Sequence, residues 1–237
     1  MRVFILAAGV GSRISRACHG LPKCLLPLGG RPMIRWTLER LARHGLTDVT
    51  IVTGYNRGAI TTELGDSVRY RYNPFYRVTN SIASLWFARD LLEGPAILMN
   101  ADIFFEDRLV DVVLGESMSP VLFSDTSRKI EADYRFRLEG DRIIGYGKDI
   151  PPEETDAEYI GIGRVAAADM PAFRNRLDKL IEEEKYHMWW EDVLYTMIAD
   201  GGTVRHHDVR GIFWAEADFV QDYERMIQWI AEHPDAR

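Results

Sequence analysis

The first half of the chain alternates short apolar runs with amphipathic stretches. Strands are predicted at residues 3–8, 48–53, 68–72 and 95–99, of which the first and the fourth are apolar runs typical of buried strands. An amphipathic helix over residues 32–44 follows the first run, and a weaker helix ending near Glu63 follows the second. Strands that alternate with helices predict an α/β fold with a mainly parallel sheet.

Beyond Glu116 the apolar runs become shorter. Strands are predicted at residues 121–124, 134–138, 142–148, 159–165 and 203–209, and the second and third are joined at residues 139–141 like a hairpin. Helices are predicted over residues 169–184, from residue 188 onward and after residue 218. The Pro-rich acidic segment 149–158 is a candidate lid. We expect a single domain over residues 1–237 with a mixed, mainly parallel central sheet.

Composition and charge narrow the classes of function. The chain has 237 residues, of which 46% are hydrophobic, enough for one sizeable core. A net charge of −7 argues against the clustered Lys and Arg that bind nucleic acid or an anionic membrane surface, so we expect neither as a partner. No apolar stretch approaches the roughly 18 residues of a membrane span, and the apolar run before Gly9 is too short for a signal peptide. The two cysteines lack zinc or redox spacing, which favours a cytoplasmic location.

A glycine loop follows the first predicted strand. Gly9 and Gly11 let backbone amides approach an anion closely. Arg13 adds a planar fork of donors, and Lys23 adds a point charge. The loop is not a dinucleotide fingerprint, because position 14 is isoleucine, and it is not a P-loop, because Lys23 is not followed by Ser or Thr. The pattern predicts a polyphosphate site of another kind.

Two spaced motifs carry a family resemblance. Residues 6–13 read Leu-Ala-Ala-Gly-x-Gly-Ser-Arg, and residues 21–27 read Leu-Pro-Lys-x-Leu-x-Pro. Together they resemble the signature of the nucleotidyltransferase family that makes nucleoside-diphosphate sugars and CDP-alcohols. Residues 73–85, Asn-x-x-Tyr-x-x-Thr-Asn-x-x-x-Ser-Leu, resemble the bacterial phosphocholine and phosphonate cytidylyltransferases, although Ser81 stands where those enzymes usually repeat the asparagine. The resemblance implies a Rossmann-like sandwich with a nucleotide half over about residues 1–115 and an acceptor half over about residues 116–237.

The resemblance also implies a nucleotide site. Its residues would be Leu6, Ala7, Ala8, Gly9, Gly11, Ser12, Arg13, Lys23, Tyr55, Asn80, Ser84, Asn100 and Ala101. Arg13 and Lys23, together with Lys148 from the acceptor half, would be the catalytic residues. Two of these assignments have plain alternatives, since Asn80 could cap the helix that begins beside it and Lys148 could be an ordinary surface lysine.

Carboxylates at the ends of two extended segments imply a metal site. Asp102 follows the fourth predicted strand, at the edge where an α/β sheet opens its ligand crevice. Glu216 and Asp218 share one face of a later segment. By the resemblance, these three residues would bind Mg²⁺, which prefers oxygen ligands. Asp102 could instead be a turn residue and Asp218 a helix cap. His206 and His207 face opposite sides of a strand and cannot chelate together.

The acceptor site is implied in the second half. Its substrate-binding residues would be Tyr134, Lys148, Trp189, Trp190, Glu191 and Glu216. Aromatic faces beside carboxylates suit a quaternary ammonium, which cannot donate hydrogen bonds. Because Trp189 and Trp190 are adjacent on a predicted helix, they point in different directions, and we expect one of them in the core.

The sequence therefore predicts a cytidylyltransferase that uses CTP and Mg²⁺ and a small phosphorylated or phosphonate acceptor. Phosphocholine is the first candidate acceptor, giving CDP-choline and pyrophosphate, followed by a phosphonate such as 2-aminoethylphosphonate and then by a sugar 1-phosphate. The alternative from another class is a nucleotide-binding module without turnover. A phosphomonoester is mostly dianionic at neutral pH and needs no general base, so catalysis reduces to positioning and charge neutralisation.

Overall fold

One β-sheet passes through both predicted halves of the chain. The computed structural model describes residues 1–11 and 20–234, and within them this sheet has nine strands. The strands of the molecule are β1 (Arg2–Ala7), β2 (Pro27–Leu28), β3 (Arg31–Pro32), β4 (Val49–Thr53), β5 (Arg69–Tyr72), β6 (Ala96–Asn100), β7 (Ile103–Phe105), β8 (Val121–Asp125), β9 (Arg135–Glu139), β10 (Arg142–Gly147), β11 (Ala157–Val165), β12 (Arg205–Asp208) and β13 (Trp214–Glu216). The helices are α1 (Met33–Arg43), α2 (Arg57–Leu64), α3 (Ser81–Trp86), α4 (Arg108–Gly115), α5 (Met170–Glu182), α6 (Asp192–Ala199) and α7 (Val220–Glu232).

The strands of the large sheet lie in the order β5-β4-β1-β6-β11-β8-β12-β10-β9. β10 and β11 are antiparallel to their neighbours, and the other strands point the same way. The mixed, mainly parallel sheet predicted from the sequence is therefore confirmed. β7 pairs with β13, and β2 with β3, in two small separate sheets.

The first strand is buried on both faces. Val3, Ile5 and Ala7 belong to one hydrophobic cluster, whereas Phe4 and Leu6 belong to a second cluster on the opposite face of the sheet. Because both faces are covered, the strand is apolar throughout, which explains why the sequence shows a continuous run and no alternation.

Most element boundaries lie within about two residues of those expected from the sequence. The exception is the helix expected from residue 188, which begins only at Asp192. The residues before it form a turn in which the backbone N–H of Trp189 donates to Asp192 Oδ2 at 2.8 Å. The N–H groups of the first turn of a helix have no acceptor within it, and this contact satisfies one of them just before α6 begins. None of the helices in the described part of the chain is both long and apolar enough to cross a bilayer.

The acidic segment 149–158 is fastened to the sheet near both ends. Arg135 Nη1 donates to the carbonyl oxygens of Lys148 at 3.2 Å and Ile150 at 2.9 Å. The backbone N–H of Leu138 donates to Asp156 Oδ2 at 2.8 Å. A role for this segment as a lid stays a prediction.

The carboxyl ends of β1, β4 and β6 meet at one edge of the sheet. Leu6 pairs with Asn100 across the two strands, and the N–H of Ala101 donates to the carbonyl of Leu6 at 3.2 Å. The N–H of Tyr55 donates to the carbonyl of Ala8 at 3.0 Å. The segments that follow the three strands therefore start side by side, at the edge where α/β sheets bind ligands.

Candidate active site

A cavity of about 290 Å³ opens at this edge of the sheet and receives side chains from both halves of the chain. The predicted site residues that line it are Leu6, Ala7, Ala8, Gly9, Gly11, Lys23, Asn80, Ser84, Asn100, Ala101, Asp102, Tyr134, Lys148, Trp189, Glu191, Glu216 and Asp218. Tyr55 and Trp190 are not part of the lining, and the predicted residues Ser12 and Arg13 lie outside the described ranges. Motifs that are far apart in the sequence thus meet around one cavity.

The glycine loop packs directly against the stem of Lys23. Gly11 has a φ of +66°, and a Cβ at this position would lie 2.7 Å from Lys23 Cγ. Glycine adopts this backbone without strain and leaves room for the lysine stem. The close packing joins the two motifs that carry the family resemblance.

The ammonium group of Lys23 lies between two carboxylates. Its Nζ donates to Asp102 Oδ2 at 2.9 Å and also to Asp218 Oδ1. The carboxylates are adjacent because Asp102 directly precedes β7, Asp218 follows β13, and these strands pair antiparallel. Burial lowers the pKa of Lys23, but the charges of Asp102 and Asp218 and their hydrogen bonds outweigh it, so the pKa is raised overall. Lys23 is therefore a permanent cation.

Glu216 is a half-buried carboxyl beside the same two aspartates. Burial raises its pKa well above the usual range, and the charges of Asp102 and Asp218 add to the rise, while Lys23 opposes it. Carboxylates crowded in this way take up either protons or cations. Within residues 1–11 and 20–234, no three His, Cys, Asp or Glu side chains are arranged so that they could hold a metal ion. The ammonium of Lys23 lies between Asp102 and Asp218, two of the three predicted ligands.

Aromatic side chains line another part of the cavity. Tyr134 stacks on Tyr195 with ring centroids 5.6 Å apart, and it meets Trp189 edge-on at 5.8 Å. Trp189 is 42% exposed, so its indole face is open to a ligand. Tyr159 and Tyr195 also line the cavity but escaped the sequence analysis. Neither residue belongs to a motif in the sequence, so no sequence signal marks them as part of the site.

Trp190 does not line the cavity, which corrects the expectation that it binds substrate. It contacts Asn100, which does line the cavity. Its side chain is fully buried, and its Nε1 donates to Asn100 Oδ1 at 3.0 Å. Asn100 Nδ2 donates in turn to Glu191 Oε1 at 3.4 Å. Neighbouring side chains point in different directions here, so Trp189 faces the cavity while Trp190 packs in the core. Trp190 thereby fixes the orientation of the Asn100 amide.

The turn before α6 is joined to the start of α3. Asn80 Oδ1 accepts a hydrogen bond from the N–H of Ser81 at 2.8 Å, so Asn80 caps α3 and also lines the cavity. Asn80 Nδ2 donates to the carbonyl of His187 at 3.3 Å, and the N–H of Trp190 donates to Ser81 Oγ at 2.9 Å. Ser81, where the sequence departs from the resembling enzymes, therefore holds the turn that carries Trp189.

Tyr55 and Asn73 do not line the cavity but hydrogen-bond to residues beside it. The hydroxyl of Tyr55 donates to the carbonyl of Gly20 at 2.9 Å. Asn73 is fully buried, and its Nδ2 donates to Ser84 Oγ at 2.9 Å and to Thr79 Oγ1 at 3.1 Å. Asn73 and Thr79 belong to the motif at residues 73–85. The sequence therefore shows the motif but not where these two side chains lie relative to the cavity.

Lys148 pairs with a carboxylate that the sequence analysis did not single out. Its Nζ lies 2.6 Å from Asp133 Oδ2, and both residues line the cavity. Glu158, a further lining residue, accepts a hydrogen bond from the N–H of Asp133 at 2.8 Å. Together with Glu191, three carboxyl groups lie with the ammonium of Lys148 in this part of the described lining. The aromatic end of the cavity is therefore rich in carboxyl groups, and among them Asp133 is paired with Lys148.

Glu191 should make the protein less stable as the pH rises. Burial raises the pKa of its carboxyl to about 8, the charge of Asp192 adds to the rise, and the hydrogen bond from Asn100 opposes it. In the unfolded chain the carboxyl ionises near its ordinary pKa of 4.5. Between these two pKa values the unfolded state binds fewer protons, so the free energy of unfolding falls as the pH rises. Glu191→Gln should make this fall smaller in urea unfolding measured from about pH 5 to about pH 8.

The control for this prediction is Glu182→Gln, which removes an exposed carboxyl at the end of α5. It should leave the pH dependence of stability as in the wild type. If the free energy of unfolding of Glu191→Gln fell with pH as steeply as that of the wild type, the Glu191 carboxyl would already be ionised in the folded protein.

The glycine loop after β1 and the aspartate after β6 both line the cavity, and both lie in the part of the chain that matches a family of nucleotidyltransferases. Residues 3–120 match the MobA-like NTP transferase domain, and this part of the chain belongs to that family.

The chain is also similar to two named relatives and to one solved structure. It is 34% identical over 116 residues to the CMP-5'-(3-aminopropyl)phosphonate synthase of Streptomyces rubellomurinus, a match that covers 47% of this chain and 18% of that protein. It is 24% identical over 253 residues to the CTP:phosphoglutamine cytidylyltransferase of Campylobacter jejuni, covering 96% of this chain and 100% of that protein. The structure of the CTP:phosphocholine cytidylyltransferase of Streptococcus pneumoniae matches with a TM-score of 0.78 at 21% identity, over 97% of this chain and 98% of that chain. This likeness confirms the expected Rossmann-like fold.

Proposed function

We propose that the protein transfers CMP from CTP to a small acceptor that carries a phosphate or phosphonate at one end and a cationic nitrogen at the other. The composition of the cavity carries this proposal. The glycine loop, Lys23 and the two aspartates suit a triphosphate with its metal, whereas the aromatic rings and the carboxylate of Asp133 suit a cation. The relatives named for CMP or CTP chemistry support CTP as the nucleotide.

The chemistry that the residues would support is direct transfer. The backbone amides at Gly9 and Gly11 and the ammonium of Lys23 would neutralise the triphosphate, and Lys148 would hold the anionic end of the acceptor. An oxygen of the acceptor attacks the α-phosphorus of CTP in line, a new P–O bond forms, and the bond to pyrophosphate breaks. The attacking oxygen is already anionic, so no side chain has to accept a proton and no protein nucleophile is required.

The carboxylates of Asp102, Glu216 and Asp218 fit Mg²⁺, because they are oxygen ligands whose crowded charges need a cation. The ammonium of Lys23 supports this assignment, since a positive charge is already accommodated between two of them. When bound, Mg²⁺ would supply charge neutralisation at the phosphates.

Phosphocholine is the first candidate acceptor. A quaternary ammonium is recognised by aromatic faces, and each such contact is worth roughly 0.5–2 kcal/mol. Trp189 and Tyr134 offer rings in the cavity. An aminoalkylphosphonate is the second candidate, because the carboxyl groups of Asp133 and Glu191 offer acceptors for a primary ammonium and because one relative is named for such a compound. A sugar 1-phosphate brings no cation to this end of the cavity, so it would gain nothing from the aromatic rings and Asp133.

Pyrophosphate release from CTP with Mg²⁺ tests the proposal. Initial rates are compared for phosphocholine, 2-aminoethylphosphonate and glucose 1-phosphate at equal concentration. The two cationic acceptors should exceed the sugar phosphate by about 10²-fold or more in kcat/KM, which is roughly 2.7 kcal/mol of transition-state binding. A preference for the sugar phosphate would contradict the assignment of the acceptor.

Trp189→Ala should weaken phosphocholine selectively. Loss of the indole face should raise the KM for phosphocholine about tenfold, or roughly 1.4 kcal/mol, while the KM for CTP barely changes. Trp189→Phe is the control, because it keeps an aromatic face and should restore most of the affinity. If the alanine variant raised both KM values equally, Trp189 would be a structural residue of the cavity wall and no ligand of the cation.

A further inference from the structure

Lys148 places a cation between a carboxylate and an indole ring. Its Nζ lies 2.6 Å from Asp133 Oδ2 and 5.7 Å from the ring centroid of Trp189. A cation within about 6 Å of an aromatic centroid is attracted by the ring, and an adjacent carboxylate adds charge. This part of the cavity therefore already accommodates a positively charged nitrogen.

The carboxylate and the ring are held by contacts that do not involve Lys148. The N–H of Asp133 donates to Glu158 Oε1 at 2.8 Å, and Glu158 Oε2 lies 2.6 Å from Arg128 Nε. The indole of Trp189 meets the ring of Tyr134 at an interplanar angle of 87°. Departure of Lys148 would therefore leave the pair of groups in place.

The ion pair is open enough to exchange its cation. The side chains of Lys148 and Asp133 are 35% and 46% exposed, and an ion pair this accessible is held weakly. An acceptor of the proposed class brings both a cation and an anion. Its ammonium can replace that of Lys148 beside Asp133, and Lys148 gains the acceptor's phosphate or phosphonate as a new partner, so no charge is left unpaired.

We propose that Asp133 and the face of Trp189 form the subsite for the acceptor's cationic nitrogen, which Lys148 occupies until the acceptor displaces it. The inference rests on the proposed function and assigns to Asp133 a part in acceptor specificity that the sequence motifs do not indicate. The competing interpretation is that Asp133 only braces Lys148 at the edge of the cavity.

Neutral acceptors of the same shape separate the two interpretations. Phosphocholine is compared with 3,3-dimethylbutyl phosphate, in which carbon replaces the charged nitrogen, and 2-aminoethylphosphonate is compared with propylphosphonate. Asp133→Asn should lower kcat/KM about fivefold for the better cationic acceptor and leave that for its neutral counterpart within about twofold. Glu131→Gln, an exposed carboxyl in the same loop that does not line the cavity, is the matched control and should change neither value.

An equal loss with cationic and neutral acceptors in Asp133→Asn would overturn the subsite and support the bracing role. An unchanged kcat/KM with both would overturn it as well. These outcomes are distinct from failure of the proposed function, in which the wild-type protein would release no pyrophosphate with any of the acceptors. Urea unfolding of Asp133→Asn, expected to match the wild type, shows that a loss of activity does not reflect loss of the fold.

Discussion

Asp102→Asn and Asp218→Asn are each expected to reduce CMP transfer by at least about 10³-fold, or roughly 4 kcal/mol. Asparagine keeps the size of the side chain but removes the negative charge. Each variant would lose a metal ligand and one of the two carboxylates that contact Lys23. The neighbouring Glu216 shares the site, but it and the one remaining aspartate would be too few to hold the metal in its working position.

Calorimetry with CTP and Mg²⁺ checks the origin of this loss. Both variants should bind CTP with a much weaker dependence on Mg²⁺ than the wild type. Asp66→Asn, a change of the same kind at an exposed residue after α2, should behave like the wild type. Wild-type metal dependence in both Asp102→Asn and Asp218→Asn would remove these residues from the metal site.

Lys23→Ala should lower turnover by about 10² or more, or roughly 2.7 kcal/mol, because the triphosphate loses a cation as charge develops on the leaving group. The same variant should bind Mn²⁺ more tightly than the wild type when no nucleotide is present. The reason is competition, since the ammonium of Lys23 stands between Asp102 and Asp218 and a metal ion must displace it. Folding should survive, because the lysine lies at the cavity wall.

Electron paramagnetic resonance of free Mn²⁺ measures that affinity, and pyrophosphate release measures turnover. Lys23→Arg is the control, because it keeps a positive charge beside the two aspartates and should not gain metal affinity. Full activity in the alanine variant would remove Lys23 from the mechanism. Unchanged or weaker Mn²⁺ binding would show that Lys23 and the metal do not compete.

The parallel strands of the first half could be predicted because they are buried on both faces. β1 and β6 are mostly apolar runs, and in β4 only the buried Thr50 and Thr53 interrupt the apolar residues, so these segments stand out from the polar ones around them. Their order in the sheet could not be read from the pattern. β11 lies between β6 and β8 although it follows both in the chain, since strand order depends on contacts between distant residues.

The sequence predicts many of the residues that line the site but not the contacts between them. The motifs placed Lys23, Asp102 and Asp218 in one site, yet the direct contact of the lysine with both aspartates depends on the pairing of β7 with β13. The sequence did not indicate Asp133, because it lies in an irregular loop. Its position at the cavity depends on its contacts with Lys148 and with the buried Glu158. Where a residue acts through neighbours distant in sequence, no local pattern records its role.

Phosphorus-31 NMR of the protein with CTP, Mg²⁺ and the preferred acceptor tests the central claim most directly. The account predicts that CTP is converted to equal amounts of pyrophosphate and of a product in which the CMP phosphorus couples to the phosphorus of the acceptor. CTP that remains unchanged with phosphocholine and with 2-aminoethylphosphonate, although calorimetry shows that it binds, would contradict the account and leave a nucleotide-binding module without turnover.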